Sequence, residues 1–206
     1  MPIPLDKFSL CCTKPLQFPL RDGTQVLLRP IMPNDRERIQ NGMAALSPES
    51  RYFRFFTAVE SLSDEQLHYL TDVDQLDHVA WIALDSSDPE YPGLGVARFI
   101  RVKEEPTVAD MALTVIDAYQ CRGLGTILLA LLYLLAQALG IQTLRSVVVG
   151  ENRAMVKWLS SLGATGSFGR GEYQLNLAVH HDPALLPRTP SSEKFNHALE
   201  VVQTII

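Results

Sequence analysis

The longest apolar stretch of this chain directly follows a pair of glycines. It runs from Ile127 to Leu139 and is interrupted only by Tyr133 and Gln137. It is shorter than the roughly 20 residues that a helix needs to cross a bilayer. The pattern therefore predicts a helix, ended by Gly140, that is buried against a sheet. The rest of the chain must supply that sheet.

Composition and charge exclude several classes of protein. Of the 206 residues, 47% are hydrophobic and 20% are charged, as in a soluble globular protein. The formal net charge of -5 argues against a broad nucleic-acid-binding surface. Cys11, Cys12 and Cys121 lack the spacing of a disulfide framework or a zinc site. Residues 1–10 lack the pattern of a secretory signal, so we expect a cytoplasmic protein without membrane contact.

The first part of the chain is predicted to contain a hairpin and three short helices. Asp22-Gly23 between two apolar runs is typical of a hairpin turn. Helix starts are indicated where a capping residue is followed by an acidic residue, a glutamine or a proline. The predicted elements are strands 17–20 and 24–29, a helix from Asn34 to about Leu46, a helix starting at Ser47-Pro48, and a helix from Ser63 to about Thr71.

Strands dominate the rest of the chain, with helices between some of them. The predicted strands are 78–84, 93–102, 108–116, 143–149 and 172–179, and the predicted helices are 122–139 and 152–162. This order indicates an α+β protein with one central mixed sheet. It is not the regular alternation of strand and helix that a Rossmann fold requires.

Three regions are distinguished along the chain. Residues 1–20 are interpreted as an N-terminal extension, 21–180 as the main domain, and 181–206 as a Pro-rich linker with a short helix. The tail helix is predicted to dock through its apolar positions, either as a dimer contact or as a cap on the sheet. These positions are Phe195, Leu199, Val202 and Ile205. Monomer and homodimer both remain open.

The turn before the long helix has the chemistry of an anion site. Gly123 and Gly125 allow the backbone to approach a ligand closely. The first N–H groups of a helix have no internal partners and lie at the positive end of its dipole, which suits a pyrophosphate. A tight strand-to-helix turn would also need such glycines. Leu128 stands where a dinucleotide fingerprint needs its third glycine, and no Walker lysine follows.

Three segments together resemble the GCN5-related N-acetyltransferase (GNAT) superfamily. Gln120-x-x-Gly123-x-Gly125 matches the acetyl-CoA signature Arg/Gln-x-x-Gly-x-Gly/Ala, and Asn152 follows a Val-rich strand as in that family. The segment 47–56, Ser-Pro-Glu-Ser-Arg-Tyr-Phe-Arg-Phe-Phe, is similar to a stretch of bacterial Pat-type protein-lysine acetyltransferases. The resemblance covers roughly residues 24–179. It implies the GNAT fold, a central mixed and mostly antiparallel sheet flanked by helices.

The resemblance also implies a co-substrate and a reaction. Acetyl-CoA would be held without a metal, and its acetyl group would pass directly to an amine. A backbone N–H of Leu113 or Val115 would polarise the thioester carbonyl. The implied cofactor-binding residues are Leu113, Thr114, Val115, Gln120, Cys121, Arg122, Gly123, Leu124, Gly125, Thr126, Asn152 and Met155.

Asp110 is the candidate for the general base. Pat-type enzymes have a Glu at the matching place. Apolar neighbours such as Met111 and Ala112 are expected to raise the pKa of this carboxyl, which would suit a base. The other interpretation is an ordinary exposed acid at a strand start.

A general acid for the departing thiolate is not evident. Leu159 stands where many GNAT enzymes have a Tyr. Tyr119 and Tyr173 are conceivable substitutes, but packing is the favoured role for both. The Cys121 thiol is not expected to act as a nucleophile, because no His lies near it in the sequence.

The Pat-like segment, residues 47–56, contains aromatic residues and two arginines. Its aromatic residues are expected to lie in the core. Arg51 and Arg54 are expected to order a loop on the acceptor side or to pair with acids. The candidate acids are Asp72, Asp74 and Asp77, and His78 is expected to be structural.

These observations favour an acetyl-CoA-dependent N-acetyltransferase that acts on a primary amine, with a protein lysine as the preferred acceptor. A small-molecule amine is the alternative acceptor. A non-catalytic acetyl-CoA-binding module is the alternative class, because the acid-side tyrosine is missing and the base is shortened. A nucleotide-binding Rossmann protein is a more distant alternative.

Overall fold

The computed structural model describes residues 15–205. Eight strands of this part of the chain form one mixed sheet. Its strand order is β1-β2-β3-β4-β5-β6-β8-β7, and only β5 and β6 are parallel. The strands are β1 (Leu16–Pro19), β2 (Gln25–Pro30), β3 (His78–Asp85), β4 (Gly93–Val102), β5 (Glu105–Val115), β6 (Thr143–Val149), β7 (Thr165–Gly169) and β8 (Glu172–Ala178). The predicted α+β class with a mixed, mostly antiparallel sheet is confirmed. The predictions on residues 1–10, Cys11 and Cys12 lie outside the described residues.

Helices cover both faces of the sheet. They are α1 (Arg36–Ala44), α2 (Pro48–Phe55), α3 (Asp64–Thr71), α4 (Leu124–Ala138), α5 (Arg153–Ser161) and α6 (Pro190–Ile205). Two of the predicted caps are confirmed, because the Ser47 hydroxyl accepts the N–H of Ser50, and Ser63 forms a capping box with Gln66. Such caps satisfy helix N–H groups that otherwise have no partner.

The prediction of Asn34 as a helix cap is wrong. A short 3₁₀ turn occupies Pro33–Asp35, and α1 begins after it. The Asp35 carboxylate is fully buried and accepts two 2.6 Å hydrogen bonds from the Arg29 guanidinium, so it joins α1 to β2. Burial alone would raise the pKa of Asp35, but these bonds and the Met32 N–H lower it overall.

The predicted central helix forms the core. Residues 128–136 of α4 are all buried, because α4 lies on β4 and β5 and is covered by α6. The rings of Tyr133 and Phe195 meet edge to face at 5.4 Å. The tail helix therefore docks onto α4 of its own chain, in the manner of a cap. On the opposite face of the sheet, α1, α2 and α3 enclose smaller apolar clusters around Ile82 and Met43.

Two sequence predictions fail where burial is absent. Strand β7 was not predicted, because it is an edge strand whose residues are all exposed and which has no apolar pattern. The aromatics of α2 are not core residues, since no residue of that helix is fully buried. Tyr52 is 41% exposed, and Phe56, the residue directly after the helix, is 39% exposed. Of the α2 aromatics, only Phe55 packs on the Met43 cluster.

Candidate active site

Strands β5 and β6 separate partway along their length. They pair in parallel only from Val108 opposite Thr143 to Asp110 opposite Arg145. Beyond that point β5 pairs only with β4, and β6 only with β8. The facing edges of residues 111–115 and 146–149 are therefore open, and backbone groups there can bond to a ligand.

The open edge includes the predicted cofactor strand. The N–H of Ile116 donates to the carbonyl of Leu94, next to β4. Since successive N–H groups of a strand point to alternate sides, those of Leu113 and Val115 point away from β4, toward the gap. These are the two N–H groups proposed from the sequence for carbonyl polarisation. The side chain of Thr114 lies on the opposite face of the sheet from the core.

The glycine turn lies at the top of this gap. Gly123 has a φ of 96°, in the left-handed region that suits glycine, and α4 begins directly after it. Thr126 and Ile127 donate to the Gly123 carbonyl. Within residues 15–205, the five amides from Cys121 to Gly125 donate to no other group. Consecutive amides at a helix N-terminus fit a pyrophosphate, so the residues present fit the group that the sequence implies.

Two arginine side chains lie at the glycine turn, and one of them was not predicted as a site residue. Arg122 donates to Asp22 at 2.6 Å and lies over the ring of Tyr119 at 4.7 Å. Arg21, in the β1–β2 turn, was not predicted as a site residue. Its Nε lies 3.8 Å from the place where a Cβ on Gly123 would stand. The hairpin brings Arg21 to the glycine turn from a distant part of the chain, which no local pattern shows.

The Pat-like segment is joined to this turn by one carboxylate. Asp117 accepts hydrogen bonds of 2.9 Å from the Ser47 N–H, the Ser47 hydroxyl and the Ser50 hydroxyl. Gln120 donates to the Ser50 hydroxyl and to the carbonyl of Val115. Burial acts to raise the pKa of Asp117, but these bonds lower it overall. The two sequence motifs thus form one structural unit.

The second cofactor motif is placed by the start of α5. Asn152 caps this helix, because its side-chain oxygen accepts the Met155 N–H at 3.1 Å. Met155 packs on the main core, and Leu159 is fully buried there. The hydroxyl of Tyr119 donates to Asp85 at 2.9 Å, so that tyrosine has a structural partner. Burial and this hydrogen bond both raise the pKa of Tyr119.

Asp110 has a different environment from the one expected. Its side chain is 54% exposed rather than surrounded by apolar groups. Both carboxylate oxygens accept hydrogen bonds from Arg145, at 2.5 and 3.0 Å. The hydrogen bond with Asp110 in turn raises the pKa of Arg145. Arg145 was missed in the sequence because the parallel register alone places it beside Asp110.

Of the two roles expected for Arg51 and Arg54, pairing with the candidate acids is wrong for the described residues, and ordering of a loop on the acceptor side stays a prediction. Each of the three acids has another role: Asp72 lies near His68, Asp74 accepts N–H groups of its own loop, and Asp77 pairs with Arg101. His78 has a structural contact with Arg98, as expected, at 3.1 Å. Burial, followed by the Arg98 charge, lowers the pKa of His78 to about 4.

The fold and the site define a class of protein. The gap between β5 and β6 can bind an extended arm through backbone groups, and the free amides of the adjacent turn can bind a pyrophosphate. This arrangement suits an acyl thioester whose carrier contains a pyrophosphate. Residues 25–165 match the family described as acetyltransferase (GNAT) domain. The chain belongs to this family.

Two relatives share substantial identity. Acetyltransferase Pat of Mycolicibacterium smegmatis is 37% identical over 150 residues, which are 73% of this chain and 44% of that protein. Acetyltransferase PA5475 of Pseudomonas aeruginosa is 35% identical over 147 residues, which are 71% of this chain and 78% of that protein. This chain therefore matches less than half of the mycobacterial protein.

Solved structures agree on the fold. The GNAT domain of S. lividans PAT superposes with a TM-score of 0.72 at 29% identity, and the match covers 80% of this chain and 96% of that one. A putative acetyltransferase of Salmonella typhimurium with its cofactor acetyl-CoA, yncA, has a TM-score of 0.59 at 18% identity, over 76% and 95% of the chains. At 18% identity, this similarity shows a common fold and nothing more.

Residues 15–205 lack two further features. No helix there is both long and apolar enough to cross a membrane. No group of His, Cys, Asp and Glu side chains there is arranged to hold a metal ion.

Proposed function

We propose that this chain transfers the acetyl group of acetyl-CoA directly to a primary amine, and that a protein lysine is the preferred acceptor. The observation that carries the proposal is the open edge between β5 and β6, which ends at the free amides of the glycine turn. One continuous surface can thus hold both a pantetheine arm and its pyrophosphate.

The binding roles follow from this geometry. The five amides from Cys121 to Gly125 would hold the pyrophosphate, with Arg21 and Arg122 as nearby cations. Leu113 and Val115 would bond to the arm and polarise the thioester carbonyl through their N–H groups. Asn152 would reach the arm from the β6 side. Its side-chain oxygen accepts a hydrogen bond from its own helix, so its side-chain NH₂ group is left to donate to the arm.

Asp110 is proposed to take the proton of the amine. Its side chain lies on the face of the sheet that carries Ala112 and Thr114, where an acceptor can approach. The Leu113 N–H is about 10 Å further along the strand, at roughly 3.4 Å per residue. A water molecule is therefore needed between the amine and the carboxylate. Arg145 would hold the carboxylate in a fixed orientation.

The thiolate is proposed to be protonated by water or to leave unassisted. Leu159, at the place of the usual tyrosine, is buried in the core and carries no proton to give. Tyr119 is engaged with Asp85. An alkyl thiol such as that of free cysteine has a pKa of about 8.5, so a thiolate is a moderate leaving group at physiological pH.

The choice of a protein lysine depends on the segment 47–56 and its resemblance to Pat-type enzymes. That segment forms α2 and is fixed to the glycine turn by Asp117. Its exposed aromatics, Tyr52 and Phe56, leave apolar surface beside the site. Large exposed apolar side chains near a site are typical of a surface that contacts another protein.

The test is a screen of acetyl-CoA consumption against lysine peptides, intact proteins and small amines. We expect transfer to lysine with formation of an amide and free coenzyme A. Transfer to small amines alone would replace the acceptor in this proposal. Intact acetyl-CoA binding without transfer to any acceptor would favour a non-catalytic acetyl-CoA-binding module, which the pairing of Asp110 with Arg145 also permits.

Three further expectations belong to the proposal. The catalytic domain is assigned to residues 21–180, with residues 1–20 and 181–206 as flanking segments. The protein is expected to be cytoplasmic, and to be a monomer or a homodimer. Localisation of a tagged chain, sizing in solution and activity of the 21–180 segment test these points.

A further inference from the structure

A small cavity on the acceptor face of the sheet is lined by three arginines, of which Arg38 is paired with the buried Asp35. It has a volume of about 70 Å³ and lies between β4, β5 and the helices α1 to α3. Ala112 and Thr114 of β5 form part of its floor. Arg54 of α2 and Arg98 of β4 reach it from two sides. Such a volume accommodates a carboxylate group or a few waters, since one water needs about 10–15 Å³.

Unlike Arg38, the guanidinium groups of Arg54 and Arg98 lack a counter-charge in the described structure. Within residues 15–205, no Asp or Glu oxygen lies within 4.0 Å of either one. Arg98 is only 5% exposed, and Arg54 is partly buried. Burial, and then the nearby charge of Arg54, lowers the pKa of Arg98 to about 9. A buried cation beside a second, partly buried one is costly unless an anion joins them.

Structural roles account for only part of this arrangement. Arg98 donates to the Leu70 carbonyl at 3.0 Å and contacts His78, so it fastens the end of α3 to the sheet. Arg54 lies over the ring of Phe55, 5.0 Å from its centre. No hydrogen bond joins Arg54 to any other described side chain or carbonyl. Its five N–H donors remain for a ligand.

The cavity adjoins the place where acetyl transfer is proposed. Thr114 and Ala112 line the cavity, while the N–H groups of the adjacent Leu113 and Val115 face the open edge. An acceptor whose amine approaches that edge from this face therefore extends toward Arg54. A guanidinium fork binds a carboxylate through two parallel hydrogen bonds.

We propose that this arginine cavity binds a carboxylate of the acceptor and so selects acidic acceptors. The inference rests on the proposed acetyl transfer and adds its substrate class. Two sources share this chemistry: an Asp or Glu side chain close to the acceptor lysine of a protein, and the carboxylate of a small amine such as an amino acid.

The experiment compares matched acceptors. Lysine peptides with a neighbouring Glu or Gln, and an amino acid with its amide, are tested on wild type and Arg54→Gln. Arg51→Gln is the control, because Arg51 is on the same helix but outside the cavity lining. We expect wild type to prefer acidic acceptors in kcat/KM by roughly 10- to 100-fold. Arg54→Gln should remove this preference by raising the KM of acidic acceptors alone, and Arg54→Lys should keep part of it.

Each outcome has one meaning. A preference for acidic peptides or for the amino acid supports the proposal and identifies the source. Equal rates for acidic and neutral acceptors, or an equal loss on both in Arg54→Gln, overturns it while acetyl transfer stands. If no acceptor is acetylated, the proposed function fails instead. Titration with glutarate, followed by NMR, then decides the cavity itself: binding weakened by Arg54→Gln supports it, and no binding overturns it.

Discussion

The Asp110 carboxylate and the Arg145 guanidinium form a bidentate ion pair at the last paired position of β5 and β6. The pair thus stands where the sheet opens toward the proposed cofactor. Its position gives Asp110 a fixed orientation at the base of the gap. In the proposed mechanism, the carboxylate would therefore accept the proton while it remains bonded to Arg145.

Replacing Asp110 by Asn should separate chemistry from binding. We expect turnover to fall by roughly 10²- to 10⁴-fold, because an amide cannot take the proton of the amine. Acetyl-CoA affinity should stay unchanged, since the amides of the glycine turn are intact. Steady-state kinetics and calorimetric titration of acetyl-CoA measure the two effects.

Asp77→Asn is the matched control for that change. Asp77 forms an exposed ion pair with Arg101, whose side chain lies on the opposite face of the sheet from Asp110 and donates to the Leu139 carbonyl. It should leave turnover unchanged. Wild-type turnover of Asp110→Asn at every pH tested would remove Asp110 as the base.

Placing a charge in the glycine turn should abolish cofactor binding. Acetyl-CoA is expected to raise the melting temperature of the wild type, because a ligand at 100 times its Kd stabilises by about 2.7 kcal/mol. Gly123→Asp should lose this shift, since its carboxylate repels the pyrophosphate. Gly140→Asp is the control: Gly140 also has a positive φ, 75°, but lies at the other end of α4. A full shift in Gly123→Asp would show that the pyrophosphate binds elsewhere.

Removing the Asp117 carboxylate should release α2 from the turn. Asp117→Ala deletes three hydrogen bonds to Ser47 and Ser50. We expect faster amide exchange in α2 and a higher KM for the acceptor, with a small loss of stability of about 1 kcal/mol. Asp182→Ala removes a comparable exposed cap remote from the site and should change neither. Unchanged exchange in α2 would mean that the helix is held by packing alone.

Acid should destabilise the fold through His78 before it acts on most carboxylates. The pKa of His78 is lowered from 6.5 to about 4, by burial and by Arg98. Between these values the unfolded chain binds a proton that the folded chain does not. The free energy of unfolding should therefore fall as the pH drops from about 6.5 to about 4.

Urea unfolding at several pH values measures this effect. His78→Gln should flatten the dependence in that window. His197→Gln should not, because the His197 side chain is 77% exposed. The same slope in His78→Gln and wild type would contradict the assignment.

The sequence predicted the elements that carry a clear pattern. The α4 helix, its glycine turn and the strands from β3 to β6 were all found, because apolar periodicity, caps and glycines are local signals. The edge strand β7 and the exposed aromatics of α2 were misjudged, since residue type alone does not show whether a face is covered.

The sequence by itself determined the α+β class, the glycine turn before α4 and, through three motifs, the family. Only the tertiary structure decided which distant residues meet there: Arg145 beside Asp110, Ser47 on Asp117, and Arg54 with Arg98 in one cavity. The physical reason is that motifs depend on neighbours along the chain. Ion pairs and cavities depend instead on strand register and on how helices cover a sheet, and these are fixed only when the whole core packs.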